Sequence, residues 1–191
     1  MNDSPYVIKE GAPPVKDAEL ITRIKQGERD LLGILIERYY DQIFKFCYYK
    51  TGDEALAYDC AQDTFLRMIR YMDSYIEKDR FKPYLFQIAS NACNDGLRKR
   101  DDCFIEDEAE AKEGLTAAFD KEDIGNQIAV ADTVRTALNA LPQMQRDVII
   151  LRFYSDLKIN EIAKVTGVNI PTVKSRLRQG KNKLKKILEN N

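Results

Sequence analysis

The chain contains no histidine, and its four cysteines, Cys47, Cys60, Cys93 and Cys103, show no Cys-x-x-Cys spacing. Histidine is the usual general base near neutral pH and the commonest metal ligand, so its absence removes the ordinary routes to catalysis and to zinc binding. A zinc site would have to gather all four thiolates from separate segments. Cys47, Cys60 and Cys93 are therefore expected to be small buried hydrophobes, while Cys103 lies at a helix boundary where a redox role is the other reading. No nucleophile elbow, phosphate-binding glycine loop or paired-carboxylate motif occurs, so no enzymatic activity, metal or cofactor is expected. No apolar run reaches the roughly 18 residues of a membrane span. No basic-then-apolar signal peptide opens the chain, which makes the cytoplasm the expected location. No stretch sustains period-two alternation, which argues against strands.

What the chain holds is charge. Of its 191 residues, 32% are charged and 44% hydrophobic, the balance of a soluble globular protein of one domain or two small ones. The net charge of −1 conceals an asymmetry. Residues 101–133 carry eleven acids against Lys112 and Lys121, a balance of −9. Residues 142–191 carry eleven bases against Asp147, Asp156, Glu161 and Glu189, a balance of +7. Local charge, not the total, governs binding to nucleic acid.

The basic end is organised as a helix followed by a helix-turn-helix. Ile159, Ile162, Ala163 and Val165 form an apolar set at helical spacing, and small Ala163 lets two helices approach closely. Gly167 stands where the first helix must stop and the chain reverse, a place for a residue tolerant of positive φ. Val168 can plug the angle between the helices. Pro171 fits a first helical turn, where its missing N–H costs nothing. Val173 and Leu177, four apart, anchor the second helix. From Ile170 to Leu188 that helix carries seven Lys or Arg and no acid. Thr172, Lys174, Ser175, Arg176, Arg178 and Gln179, with Lys181 beyond them, form the pool for contacts in a DNA groove. The alternative is a solvated basic face on an ordinary helical hairpin.

Residues 1–16, with Pro5, Gly11, Pro13 and Pro14, read as a flexible lead-in. Asp17 is expected to cap a helix reaching about Gln26. A long helix follows from about Arg29 to Tyr49, ended by Thr51 and Gly52. Asp53 caps a third to about Tyr71, and a fourth runs from about Lys82 to Arg100. Residues 101–125 read as an acidic linker with a short helix around residues 115–119. Helices resume at about Gln127 to Ala140, and Pro142 starts the next. The predicted fold class is all-α: two small helical domains, residues 17–100 and 126–191, joined by an acidic tether.

Two faces of the first domain stand out. On the third helix Ala57, Ala61, Phe65, Met68 and Met72 make a buried stripe. Asp59, Gln62, Asp63 and Leu66 share another face, suited to a basic helical partner or simply to solvent. On the fourth helix Leu85, Ile88, Ala89, Ala92 and Gly96 point to the core, and Gln87, Asn91, Asn94 and Arg98 share the other side, where amides can read base edges. Upstream, Tyr71, Tyr75, Arg80, Phe81 and Lys82 mix aromatics with positive charge, a mixture that suits unpaired nucleotides. Phe81 and Tyr84 are expected to cap the core; for Tyr75 a core role and a stacking role both fit.

Four segments, LIERYYDQIFKFCYYKTGD (35–53), DCAQDTFLRMIRYMDSY (59–75), FKPYLFQIASNACNDGLRKR (81–100) and LPQMQRDVIILRFYSDLKINEIAKVTGVNIPTVKSRLRQGKNKL (141–184), occur in this order. In this order and spacing the chain resembles the bacterial sigma-70 family of RNA polymerase initiation factors, in its extracytoplasmic-function (ECF, group 4) branch. The resemblance covers about residues 17–100 and 127–188. It implies promoter-specific transcription initiation with core RNA polymerase, docked through its β and β′ subunits, and with promoter DNA as partners.

The resemblance also implies roles for individual residues. Asp59, Gln62, Asp63 and Leu66 fall in the family's polymerase-binding helix. Tyr71, Tyr75, Lys78, Arg80, Lys82, Asn91, Asn94 and Arg98 fall around its −10-reading helix and base-capturing loop. Thr172, Lys174, Ser175, Arg176, Arg178, Gln179 and Lys181 fall in the helix that faces the −35 element. Tyr84 stands where members often have Trp, and Gln179 where they often have Arg. The family's interdomain segment threads toward the polymerase active site. An inhibitory anti-sigma partner is common in the family, and nothing in the residues identifies one. A stand-alone regulator sharing the helix-turn-helix would need strands and an acidic phosphorylation pocket in its first half. A pure sequestering module would lack base-reading amides.

Overall fold

The computed structural model describes residues 15–76, 80–106 and 134–189, and every regular element among them is an α-helix. α1 spans Asp17–Lys25, α2 Leu31–Thr51, α3 Glu54–Tyr71, α4 Phe81–Glu106, α5 the described residues 134–139, α6 Gln143–Phe153, α7 Ile159–Thr166 and α8 Ile170–Glu189. No helix among the described residues is long and apolar enough to cross a membrane.

The first four helices form where apolar residues recur every three or four positions. In α2, Leu31, Leu35, Tyr39, Ile43, Phe46 and Cys47 make the buried stripe. In α3 the stripe is Ala57, Cys60, Ala61, Thr64, Phe65 and Met68, with Met72 just past the helix end. α4 lays Leu85, Phe86, Ala89, Ala92 and Cys93 against both. Asp53 caps α3 as its position predicts: its Oδ1 accepts from the Leu56 N–H at 2.8 Å.

Two boundaries depart from expectation. Lys16, not Asp17, occupies the cap position of α1. The Asp17 carboxylate is taken instead by Arg38, at 2.5 Å, and by the Tyr39 hydroxyl. A long-range ion pair has outcompeted the local cap. α4 also continues to Glu106, six residues into the segment read as linker. Residues 97–106 contain no glycine or proline, and acidic side chains tolerate a helix, so composition alone did not mark the end. Lys78, the lead-in up to residue 14, and residues 107–133 with the expected short helix and most of the acidic segment lie outside the described residues.

The second half closes around Val148, Ile149, Ile150, Leu151, Leu157, Ile162, Val165 and Val173. It does not stand apart from the first. α2 packs on α6, and α4 packs on α7. Lys50, whose side chain is 1% exposed, reaches from the last turn of α2 to Asp147 Oδ2 at 2.5 Å. Arg146 donates to the Lys50 carbonyl at 3.3 Å, and Arg135 to the Tyr48 hydroxyl at 2.8 Å. The rings of Tyr49 and Tyr154 lie 4.7 Å apart. In this arrangement the halves share a continuous core, joined by partners too distant in sequence for any local pattern to reveal.

Candidate nucleic-acid interface

The helix-turn-helix is built by short-range contacts. Lys158 N–H donates to Glu161 Oε2 at 2.7 Å, closing the first turn of α7. Gly167 ends α7 at φ 68°, the left-handed conformation expected of it. Val168 N–H then returns to the Ala163 carbonyl at 3.1 Å. Asn169 Oδ1 accepts from Thr172 N–H at 2.8 Å, capping α8. That cap was not anticipated; an Asn just ahead of a Pro-containing first turn was its signal. Val173 is fully buried and Leu177 half-buried, as anchors must be. Gly180 lets α8 lie close on α6, because a Cβ there would sit 3.0 Å from Ile149 Cγ1.

Successive helix residues are turned by roughly 100°, so α8 presents distinct sides. Lys174, Arg178 and Gln179 are exposed and Ser175 is half-buried beside them. Gln179 donates to Ser175 Oγ at 3.3 Å and accepts from Gln145 Nε2 at 3.1 Å. Thr172 is half-buried at the capped end. Arg176 is different. Two positions from Lys174 and from Arg178, it is turned roughly 160° from each. It packs toward α6, with Nη2 3.1 Å from Met144 Sδ. Lys181 is exposed but lies over the Phe153 ring, 5.8 Å from its centroid. Arg176 is thus placed apart from the exposed side that carries Lys174 and Arg178, and Lys181 sits at the edge of that side.

In the first half, Gln87, Asn91, Asn94 and Arg98 form an exposed row along α4. With Met144, Lys164 and Arg176 they line a cleft of about 650 Å³ between the halves. A second cavity, about 580 Å³, opens beside the same row, with walls that include Arg67, Tyr71, Tyr75, Tyr84, Gln87 and Asn91. Tyr71 is 51% exposed, and Tyr75 only 9%. The Tyr75 ring lies 4.5 Å from Tyr84 and meets Phe81 edge-on at 5.8 Å. Tyr75 therefore belongs to the aromatic core and borders the cavity from that position. Burial holds the Tyr84 phenol above its ordinary pKa.

Two residues expected near this site stand away from it. Arg80 is exposed and does not line the cavity. Lys82 points the other way, into a cavity of about 630 Å³ shared with Asp17, Arg38, Asp156 and Glu161. Burial lowers its ammonium pKa, against the raising pull of Asp156, Glu161 and Asp17. The turn of α4 decides this, since Lys82 and Asn91 leave the helix on different sides.

On α3, Asp59 and Gln62 are exposed, Leu66 is 62% exposed, and Asp63 is half-buried against Arg67 at 2.7 Å. Three exposed apolar neighbours extend this face and escaped the sequence reading: Tyr58, Ile69 and, from α2, Tyr40. Their signal was apolar residues lying off the core stripe.

Cys47, Cys60 and Cys93 are buried free thiols. Contact with Cys93 and burial push the Cys60 thiol well above its usual range, which keeps it unreactive. Among the described residues no cluster of three His, Cys, Asp or Glu could hold a metal ion.

Comparison with known proteins gives a consistent picture. Residues 35–102 match the model of Sigma-70 region 2, and residues 131–184 that of Sigma-70, region 4. The ECF RNA polymerase sigma factor SigW of Bacillus subtilis is 30% identical over 176 residues, spanning 88% of this chain and 94% of the relative. RNA polymerase sigma factor SigV of the same organism is 33% identical over 156 residues, 80% of this chain and 88% of the relative. Two solved structures share the fold. CnrH in complex with the cytosolic domain of CnrY has a TM-score of 0.69 at 21% identity, covering 92% of this chain and 98% of that one. RpoE in complex with the anti-sigma factor NepR, from Bartonella quintana, has a TM-score of 0.68 at 24% identity, covering 82% and 96%.

Proposed function

The chain belongs to the ECF sigma factors of the sigma-70 family, and from that premise we propose how its residues divide the work of transcription initiation. Sigma factors are not enzymes: they bind core RNA polymerase, recognise promoter DNA and bring the polymerase to it, and this chain is one of them.

The α3 face of Asp59, Gln62, Asp63 and Leu66, widened by Tyr58 and Ile69, docks on core polymerase. Its acids pair with a basic coiled coil of the β and β′ subunits while its apolar rim is covered. Tyr71 and Asn91 hold an unstacked base of the −10 strand in the neighbouring cavity, against the wall formed by Tyr75 and Tyr84. Asn94 and Arg98 follow the same strand along α4. Lys174, Ser175, Arg178 and Gln179 enter the major groove of the −35 element, with Thr172 and Lys181 at its edges. Lys and Arg contacts to phosphate position the helix, and base-edge contacts give it specificity. Base capture stabilises the melted state without ATP.

The observation that carries this assignment is the placement of an open, aromatic-walled cavity of about 580 Å³, roomy enough to admit a base, beside the amide row of α4 and next to the acidic face of α3. The −10 and −35 elements lie roughly 80 Å apart on B-DNA at about 3.4 Å per step. α4 packs directly on α7, far closer than that separation, so the halves must part for both elements to be bound. The domains then behave as residues 17–100 and 126–191, with the acidic segment 101–125 as the connector. The expected location is the cytoplasm, where polymerase and promoter are found, and an anti-sigma factor is the expected inhibitor.

The test is run-off transcription with bacterial core polymerase on a template carrying the gene's own upstream region. Wild type is expected to give a defined transcript and Asp63→Arg none. A transcript from both would discard the α3 interface, and a core pull-down with neither transcript nor binding would discard the sigma role.

A further inference from the structure

A hydrogen-bonded row of polar side chains crosses from α6 to the basic helix α8. Gln145, in the first turn of α6, donates from Nε2 to Gln179 Oε1 at 3.1 Å, and Gln179 Nε2 donates to Ser175 Oγ at 3.3 Å. The reach is possible because α8 lies close on α6 at the neighbouring Gly180, where a Cβ would meet Ile149 Cγ1 at 3.0 Å and Gln145 Cβ at 3.5 Å. Gln145 is half-buried and Gln179 is exposed. The far end of the Gln145 amide, Oε1, is buried and has no hydrogen-bond partner. Turned over, this amide would place two N–H groups in that enclosed spot instead of one oxygen, so its donor end stays on Gln179. Ser175 cannot choose the polarity of the Gln179 amide, since a hydroxyl serves as donor or acceptor. Gln145 therefore sets it, with the oxygen toward α6 and the nitrogen toward Ser175.

We propose that Gln145 is a positioning residue that fixes the Gln179 amide and so makes Gln179 the reader of one adenine in the −35 element, an inference resting on the −35 role assigned to α8 above. The two contacts use one site at each end of the Gln179 amide. One lone pair on Oε1 and one N–H on Nε2 remain, and together they form an acceptor–donor pair. Adenine presents the matching pair in the major groove, N6–H as donor and N7 as acceptor. Guanine offers two acceptors there, O6 and N7, and would set one of them against the fixed Oε1. An arginine at this place, which the family resemblance leads one to expect, carries donors alone and suits guanine or phosphate. A free glutamine amide turns to follow whatever groups it meets, and a held one does not. The row thus makes a contact that informs on sequence out of one that would otherwise serve position. It also gives Gln145, with its unpartnered buried oxygen, a role that an apolar side chain in the same place would not fill.

The experiment is competitive run-off transcription with core polymerase and the full chain, on the promoter mapped with the wild-type protein and on templates with each −35 base pair changed in turn. The readout is the ratio of transcripts from the A·T template and from its variants at each pair. Wild type is expected to prefer A·T at one pair by about five- to a hundredfold, and Gln179→Ala to lose that preference at that pair alone. Adenine replaced there by 7-deazaadenine, which lacks the N7 acceptor, is expected to remove most of the preference from wild type and to leave Gln179→Ala unchanged. Gln145→Glu has the same shape but only accepts, so it turns the Gln179 amide round and is expected to lose the preference as Gln179→Ala does. Gln145→Lys, a donor, is expected to retain it, its added charge acting on all templates alike. A merely structural Gln145 would lower transcription from every template together and leave the ratio intact in Gln145→Glu, which overturns the proposal. A preference that depends on Gln179 but selects a base other than adenine overturns it as well. Failure of the −35 role itself is seen separately, as transcription indifferent to every base pair of that element, and removes the proposal with it.

Discussion

Asp147→Ala removes the carboxylate that Lys50 holds across the junction of the two halves. The Lys50 side chain is 1% exposed and that of Asp147 15%. The ammonium lies 6.0 Å from the Phe46 ring centroid, with little access to water. Removing one member of a buried ion pair leaves a buried charge uncompensated, at a cost of about 3–5 kcal/mol. For a chain of 191 residues each kcal/mol moves the melting temperature by about 2–4 °C, so the expected fall is about 6–20 °C. Because the pair bridges α2 and α6, the protein has two responses: melting earlier as one unit, or parting the halves so that Lys50 reaches water. Circular dichroism melts follow the first, and the radius of gyration from small-angle scattering follows the second. Lys50→Met combined with Asp147→Leu, which removes both charges, is expected to return within about 1 kcal/mol of wild type. An Asp147→Ala protein that melts within about 2 °C of wild type and keeps its radius of gyration would refute the reasoning.

Further predictions concern the site and its supports. Gly180→Val overpacks the α6–α8 contact and is expected to cost about 1–3 kcal/mol; melts should fall and duplex binding weaken while polymerase docking persists. Asp53→Ala removes the α3 cap and is expected to cost about 1 kcal/mol in denaturant titration, with Asp53→Asn retaining most of it. Lys174→Ala is expected to reduce the slope of log affinity against log salt for duplex DNA by about one, the signature of a lost phosphate contact. The Tyr154 phenol, pushed up to about 12 from 10.0 by burial and then by Tyr49, stays protonated in the fold after the unfolded chain has ionised. Its contribution to stability is therefore complete below pH 10 and is lost as pH rises toward about 12. Paired absorbance titration and melts check this, and Tyr154→Phe should flatten the dependence.

Much of the helical plan was legible because it is written in local periodicity. The stripe Ala57, Ala61, Phe65 and Met68 is buried as its spacing requires, Asp53 caps α3, and Gly167 turns the chain between α7 and α8. Where a local signal met a distant competitor, the distant partner prevailed: Asp17 gave up its cap to pair with Arg38 and Tyr39. The candidate site was legible as sets of residues on helix faces, which is why the amide row on α4 and the exposed basic residues of α8 could be named.

The rest depends on how faces meet. That Arg176 turns toward α6, that Lys82 faces Asp156 and Glu161, and that Tyr75 sits in the aromatic core follow from interhelical packing. The sequence by itself determined the helices, their buried faces, the turn chemistry and, through its motifs, the family. Only the tertiary structure decided that Lys50 meets Asp147 and that Arg67 stands between Asp63 and Asp95. Helical periodicity reports which side of a helix is buried, whereas an ion pair between helices requires the angle, register and separation at which they pack.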